Sequence, residues 1–316
     1  MEKISLIIPC YNEEESIEII WKAIGETMEM LSDYEYEIIF VDDGSTDRTI
    51  QVIRKLASLD AHIRYVSFSR NFGKEAAMYA GFCNAIGDYI AVLDADMQDP
   101  PQLLPKMLEI LKTGTYDSVA TRRVSREGEP WLRSLFAKSF YKIINRISNV
   151  KIVDGARDFR LMKKEMVNAI VKMSERNRFS KGIFGWIGFN TYWYSYKNIE
   201  RAAGTTKWNF WSLLHYSIDG IINFSEVPLR IAMGAGGVTT SFSFLWMVYL
   251  ILKRLILGNK VDGWTSLACM ITFFGGMQLM CMGIAGLYIS RIYMETKRRP
   301  HYIIKETNDI TIEKVK

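Results

Sequence analysis

The sequence predicts an α/β domain on a mostly parallel sheet, followed by two helices long enough to cross a membrane. Three observations carry this reading. Short β-branched runs alternate with amphipathic stretches as far as Thr121. Acidic residues gather where those runs end, at Asp42-Asp43 and at Asp94-Ala95-Asp96. Residues 231–252 and 263–290 contain no charged side chain, although the whole chain is 24% charged.

The elements follow in chain order. Strands are expected at 4–8, 36–41, 63–68, 89–93 and 118–121, with helices between them at 13–31, 47–59, 74–86 and 101–111. Nearly continuous apolar strands separated by helices of this length imply a parallel sheet covered on both faces. Ligands of such sheets bind at the carboxyl ends of the strands, and Tyr11-Asn12-Glu13 joins the acidic clusters there.

Beyond Thr121 the alternation stops. Residues 131–147 interleave Arg133, Lys138, Lys142 and Arg146 with large apolar residues, as a helix lying in a membrane interface does. Residues 208–224 form a second such segment, whose tryptophans and tyrosine suit the headgroup level. The uncharged runs then reach roughly 30 Å or more as helices, the thickness of a bilayer's hydrocarbon core. The expected division is a catalytic domain over 1–229, spans at about 231–257 and 263–290, and a solvated tail over 292–316.

Charge and cysteine usage narrow the setting. The net charge of +5 is too diffuse for a nucleic-acid partner. Arg230 precedes the first span and Arg291, Lys297, Arg298 and Arg299 follow the second, which favours both termini in the cytoplasm. The N-terminus runs straight into a strand and reads as lacking a secretory signal. Cys10, Cys83, Cys269 and Cys281 lack metal or redox spacing and fit a reducing compartment.

Chemistry is concentrated at three strand tips. Asp94 and Asp96 stand at i and i+2, on one side of an extended chain, with Gln98 close behind. Paired hard-oxygen ligands suit Mg²⁺ or Mn²⁺, which bind substrate phosphates alongside protein. Asp42 to Asp47 combines a turn glycine, helix-capping residues and two consecutive acids that can accept from a base or a ribose. Pro9-Cys10-Tyr11-Asn12-Glu13 offers an aromatic face and another acid to the same nucleoside.

Together these motifs resemble the family-2 glycosyltransferases of the GT-A fold, a Rossmann-like architecture. The matching pieces are PCYNE (9–13), Asp42 to Ser45, and Asp94 to Gln98. RNFGKEAAMYAG (70–81), DADMQDPP (94–101), DFRLM (158–162) and RAAGTTKW (201–208) resemble the polyprenyl-phosphate branch. That branch contains the bactoprenol glucosyltransferases and, more distantly, the dolichol-phosphate mannose synthases. The resemblance implies nucleotide binding by Pro9, Tyr11, Glu13, Asp42 and Asp43, and metal binding by Asp94, Asp96 and Gln98. It implies diphosphate or acceptor-phosphate contacts from Arg122, Arg133, Arg201 and Lys207. Asp158 stands where the bacterial branch carries an acid, and is expected to act with Asp96 in catalysis, as a base or an orienting group. A salt bridge to Arg157 or Arg160 is the alternative.

The expected reaction transfers a hexose, glucose first, from a UDP-sugar to undecaprenyl phosphate, with inversion and with Mg²⁺ or Mn²⁺ as cofactor. The expected setting is the plasma membrane, with the catalytic domain cytoplasmic and a homo-oligomer, such as a tetramer, as partner state. A phosphate monoester with its second pKa near ~6 is already anionic at neutral pH, so no Ser, Cys or His nucleophile is required. His62, His215 and His301 read as structural or solvated. Two alternatives stand beside this reading. A processive polysaccharide synthase would carry a Q-x-x-R-W motif and more spans, and a non-catalytic nucleotide-binding scaffold would lack Asp94 or Asp96.

Overall fold

The computed structural model describes residues 1–123, 145–146, 153, 155–196, 225–257 and 263–309. The expected interfacial helices lie outside these residues, save Asn145 and Arg146, which are helical. The chain divides into two units, Met1–Gly220 with Arg299–Lys316, and Ile221–Arg298.

The first unit is built in the predicted order. Strands β1 (Lys3–Cys10), β2 (Glu35–Asp42), β3 (Ile63–Phe68), β4 (Tyr89–Val92) and β5 (Ser118–Arg123) alternate with helices α1 (Ile17–Glu29), α2 (Thr49–Leu59), α3 (Lys74–Asn84) and α4 (Leu104–Lys112). After the gap come β6 (Ala156–Lys163), α5 (Lys164–Lys172), α6 (Ser180–Trp186) and β7 (Thr191–Tyr196). The sheet has eight strands, in the order β7-β5-β6-β4-β1-β2-β3-β8, where β8 is Ile304–Thr307. Strands β6 and β8 run antiparallel to their neighbours, whereas β1, β2, β3 and β4 pair in parallel. Expectation ended with five strands, because nothing after Thr121 alternates as regularly.

Helices cover the sheet because its strands bury both faces. Leu6, Ile7 and Ile8 are each 0% exposed, and burying such a side chain contributes roughly 1.5–3 kcal/mol. Helix α3 lies close on β1: a Cβ on Gly81 would meet Ile7 Cγ2 at 2.1 Å. Helix α1 starts at Ile17 rather than at residue 13. The N–H groups of Glu13 and Glu14 instead donate to Thr49 Oγ1 (2.8 Å) and Asp47 Oδ2 (3.4 Å), which holds the preceding turn against the tip of β2.

The expected solvated tail is partly a strand. Residue pairs Val66↔Thr307 and Ser67↔Glu306 join β8 to β3, and Ser69 N donates to Ile303 O at 2.9 Å. Tyr302 stacks on the buried Phe68 with ring centroids 4.8 Å apart. Asp309 pairs with Arg64, which also reaches the buried Glu37 at 2.5 Å. An outer parallel strand leaves unpaired N–H and C=O groups, and this short antiparallel strand covers them.

The second unit is a hairpin of α7 (Val227–Leu257) and α8 (Trp264–Thr296). Within it Tyr288 Oη donates to Ser225 O at 2.7 Å. The apolar windows Val227–Lys253 and Cys269–Thr296 span 27 and 28 residues, and among the described residues 0% of either is buried. Phe244, Leu245, Ile271, Phe273 and Leu279 all expose more than half their surface. A soluble hairpin would hide such residues. The two helices are candidate membrane spans.

Candidate active site

The carboxyl edge of the sheet gathers the motifs read from sequence. Strands β1 and β2 are in register with Cys10 opposite Asp42, and Asp43 N donates to Cys10 O at 2.9 Å. Asn12, at a φ of 54°, accepts from Thr46 N at 2.8 Å and donates its own N–H to Ser45 Oγ at 2.9 Å. The two motifs are therefore one hydrogen-bonded structure. Gly44 closes it: its φ is +65° and a Cβ there would stand 2.4 Å from the Arg70 carbonyl carbon. The buried Cys10 thiol is pushed well up by desolvation and then by the charges of Asp42, Glu13, Asp94 and Asp47. Acids from three strand tips thus converge on one place.

Within this group the acids divide. Asp42 and Asp43 are 1% and 3% exposed. Asp42 accepts from Ser45 N at 3.1 Å and Ser67 Oγ at 2.6 Å. Asp43 accepts from Phe72 N at 2.6 Å and Gly73 N at 2.9 Å. Burial pushes Asp43 up to about 6, and these two N–H groups pull it back down. Both carboxylates are buried here: Asp42 ties the turn after β2 to β3, and Asp43 fixes the loop that enters α3. Pro9, Tyr11 and Glu13 are half-buried, nearer the surface that a nucleoside would meet.

The fourth tip carries the paired acids. The antiparallel register ends with Val92 opposite Arg160, and Asp94 and Asp158 each stand two residues past that pair, at the same end of the two strands. Two neighbouring carboxylates repel, and Lys74 resolves this: its Nζ lies 2.6 Å from Asp94 Oδ1 and 2.6 Å from Asp158 Oδ2. Burial alone would raise Asp158, but Lys74, Lys181 and Arg157 hold it well below the ordinary carboxylate range. The alternative partners named from sequence, Arg157 and Arg160, also have other contacts. Arg157 donates to Gln98 Oε1 at 3.3 Å, and Arg160 lies over the rings of Phe184 and Trp193.

Asp94 to Gln98 is a turn rather than extended chain. Met97 has a φ of 58° and Gln98 N donates to Asp96 Oδ1 at 3.1 Å. Ala95 is buried, and Asp94 and Asp96 on either side of it are half-buried. Asp99 is fully buried, accepts from Tyr196 Oη and lies 3.9 Å from Arg157. Desolvation and then the Asp94 charge push it up to about 6. Hard carboxylate oxygens at Asp94 and Asp96 fit Mg²⁺ or Mn²⁺. Among the described residues no three acidic, Cys or His side chains converge to hold a cation by themselves. Water and substrate phosphate would complete the shell.

Arg122 stands at the carboxyl end of β5 and donates to Ser195 Oγ at 2.8 Å. Arg133, Arg201 and Lys207 lie outside the described residues. His62 pairs with Asp60 at 2.7 Å and His301 packs on Tyr79. Glu75, next to Lys74, accepts from Ser180 N at 3.0 Å and from Ser180 Oγ. Burial pushes it from 4.5 up to about 7, against those two bonds. The folded state therefore holds this proton longer than the unfolded chain does, and Glu75 takes stability away as pH rises from about 4.5 to about 7. Glu75→Gln is expected to flatten that decline in thermal melts recorded between pH 4.5 and 8.

Residues 5–171 match the family described as "Glycosyl transferase family 2". The chain belongs to this family. Among other family-2 glycosyltransferases, a "Prophage bactoprenol glucosyl transferase homolog" of Escherichia coli (strain K12) is 45% identical over 303 residues, covering 96% of this chain and 98% of its own. A "Bactoprenol glucosyl transferase" of Shigella phage SfV is 44% identical over 303 residues, with the same shares of 96% and 98%. A mannosyltransferase of Pyrobaculum calidifontis, solved with GDP-Man and Mn²⁺, superposes with a TM-score of 0.50 at 16% identity, over 91% of this chain and 87% of its own. That likeness is one of fold, and it makes the sheet and its flanking helices the GT-A arrangement.

For this family-2 glycosyltransferase, sequence reasoning left Lys74, Asp99 and Tyr196 without roles, and did not foresee the bond of Arg157 to Gln98. Lys74 carried a usable signal. It is the first residue of α3, where the helix dipole disfavours a cation, so acids had to be near.

Proposed function

We propose that the chain transfers a hexose, glucose first, from a UDP-sugar to undecaprenyl phosphate, forming a lipid-linked sugar phosphate. One observation carries this reading: the similarity to relatives named bactoprenol glucosyl transferases runs over 96% of the chain, the helical hairpin included. A pair of candidate membrane spans suits an acceptor that is presented from the bilayer.

Pro9, Tyr11 and Glu13 would face the nucleoside beside the buried Asp42 and Asp43. Asp94 and Asp96 would hold Mg²⁺ or Mn²⁺, with Gln98 kept beside them by Arg157. When bound, the cation supplies Lewis-acid stabilisation to the departing diphosphate. Arg122, Arg133, Arg201 and Lys207 are assigned to the donor diphosphate and the acceptor phosphate, whose charge favours guanidinium partners. The acceptor needs little activation, since its second proton is lost near pH ~6. Asp158, paired with Lys74, is a poor proton acceptor, so its role is to orient rather than to act as a base. Direct displacement at the anomeric carbon inverts its configuration.

The proposed setting is the plasma membrane, with the catalytic unit on the cytoplasmic side. Residues before and after the hairpin belong to the same unit, so the chain crosses an even number of times. Basic residues flank the outer ends of the spans, at Arg230, Arg291 and residues 297–299.

The test measures UDP release from UDP-glucose in detergent, with and without undecaprenyl phosphate. The expected result is release that depends on the lipid and a product bearing one hexose. Equal release in both arms, or a polymeric product, sinks the assignment.

A further inference from the structure

The closest ion pair at the site involves a residue to which no role has been given. Lys74 opens α3, and a cation at a helix N-terminus is electrostatically misplaced. The fold nevertheless secures it there. Asp43 grips the N–H groups of Phe72 and Gly73, the two residues that precede it, at 2.6 and 2.9 Å. Gly73 takes a φ of +98° to make the turn, and α3 is pressed onto β1 where Gly81 meets Ile7. The ammonium is thereby delivered between the carboxylates of Asp94 and Asp158, 2.6 Å from each.

We propose that Lys74 is a built-in counter-ion of the cation site: it aligns Asp94 with Asp158 and competes with the divalent cation for Asp94. This rests on the reading of Asp94 as a cation ligand. Asp94 Oδ1 lies 2.6 Å from the ammonium, and an oxygen so engaged is less available to a dication. Repulsion between the ammonium and the dication lowers affinity further. In return, Asp158 stays ionised and directed at the reacting groups. Lys74 is thus a positioning residue that weakens metal binding in exchange for carboxylate geometry. A cation held less tightly can also leave with the nucleoside diphosphate after each turnover.

The test is Mn²⁺ binding to the full-length protein in neutral detergent, followed by the electron paramagnetic resonance of free Mn²⁺, with no nucleotide present. Lys74→Met is expected to bind Mn²⁺ about tenfold more tightly than wild type, as removal of a nearby like charge requires, while sugar transfer falls. Lys74→Arg keeps the charge and should return the affinity to the wild-type value. Should Lys74→Met fail to fold, Lys74→Gln retains a hydrogen-bond donor for Asp158 and is expected to show the same gain. A residue needed only for structure would loosen the site, so Mn²⁺ affinity at or below wild type in the neutral variants overturns the proposal. Asp94→Asn separates the two readings. If it leaves Mn²⁺ binding intact, the cation assignment itself fails; if it abolishes binding while the Lys74 variants gain nothing, only the counter-ion role fails.

Discussion

Asp96→Ala is expected to abolish sugar transfer while the protein stays folded and membrane-bound. Asp96 follows the buried Ala95 and is itself half-buried. Its Oδ1 accepts the Gln98 N–H at 3.1 Å, and losing a hydrogen bond of this kind costs about 1 kcal/mol, a modest share of a domain's stability. The loss at the reacting centre is of another order. Charge that develops on a leaving diphosphate must be stabilised in place, and removal of one preorganised partner typically lowers the rate by about 10²–10³-fold. UDP release at saturating Mg²⁺ and Mn²⁺, read beside a thermal melt of the same preparation, separates the two effects. A variant that melts like wild type and still turns over at more than a tenth of its rate would falsify the metal assignment.

Deletion of residues 300–316 is expected to destabilise the catalytic unit severely, although no catalytic motif lies there. The deletion removes Tyr302 from Phe68, Ile304 from the core and Asp309 from Arg64. Lost burial of two large side chains costs roughly 3–6 kcal/mol, a large part of the 5–15 kcal/mol that typically holds a domain together. It also bares the edge of β3, a template for association with other chains. The measurement is the melting temperature and monodispersity of the deleted protein in detergent. A domain cut at residue 229 should fail for the same reason, and residues 299–316 fused behind it by a flexible linker should restore it. If the domain ending at residue 229 is stable without the fused strand, β8 is an ornament on the edge and the energetic reading of it is wrong.

Legibility in the sequence followed the range of the interactions. Strands β1 to β5 and the two long apolar helices were readable because local hydrophobic pattern specifies them. The paired acids were readable because residue type and position at a strand tip suffice. The partner of Asp158 was not, because Lys74 reaches it through the register of β4 with β6 and through the loop that Asp43 holds, none of which leaves a periodic mark. The roles of Asp42 and Asp43 were half readable: their place at the tip follows from pattern, whereas the bond of Asp42 to Ser67 on β3 and of Asp43 to the N–H groups before α3 depends on tertiary folding. Strand β8 was missed for the plainest reason. It is four residues long and its partner strand lies more than 200 residues earlier.

That separation orders the protein's biosynthesis. Thr307 accompanies Val66 in the finished sheet, yet a ribosome makes α7 and α8 between them. While both hydrophobic helices emerge, β3 remains the open side of an unfinished domain. The candidate membrane spans are therefore made before the strand that completes the sheet. A nascent chain in which only one of the two helices entered a bilayer would strand residues 304–309 on the far side and leave the sheet unsealed, so insertion of both helices becomes a condition for the stability of the part that performs the chemistry.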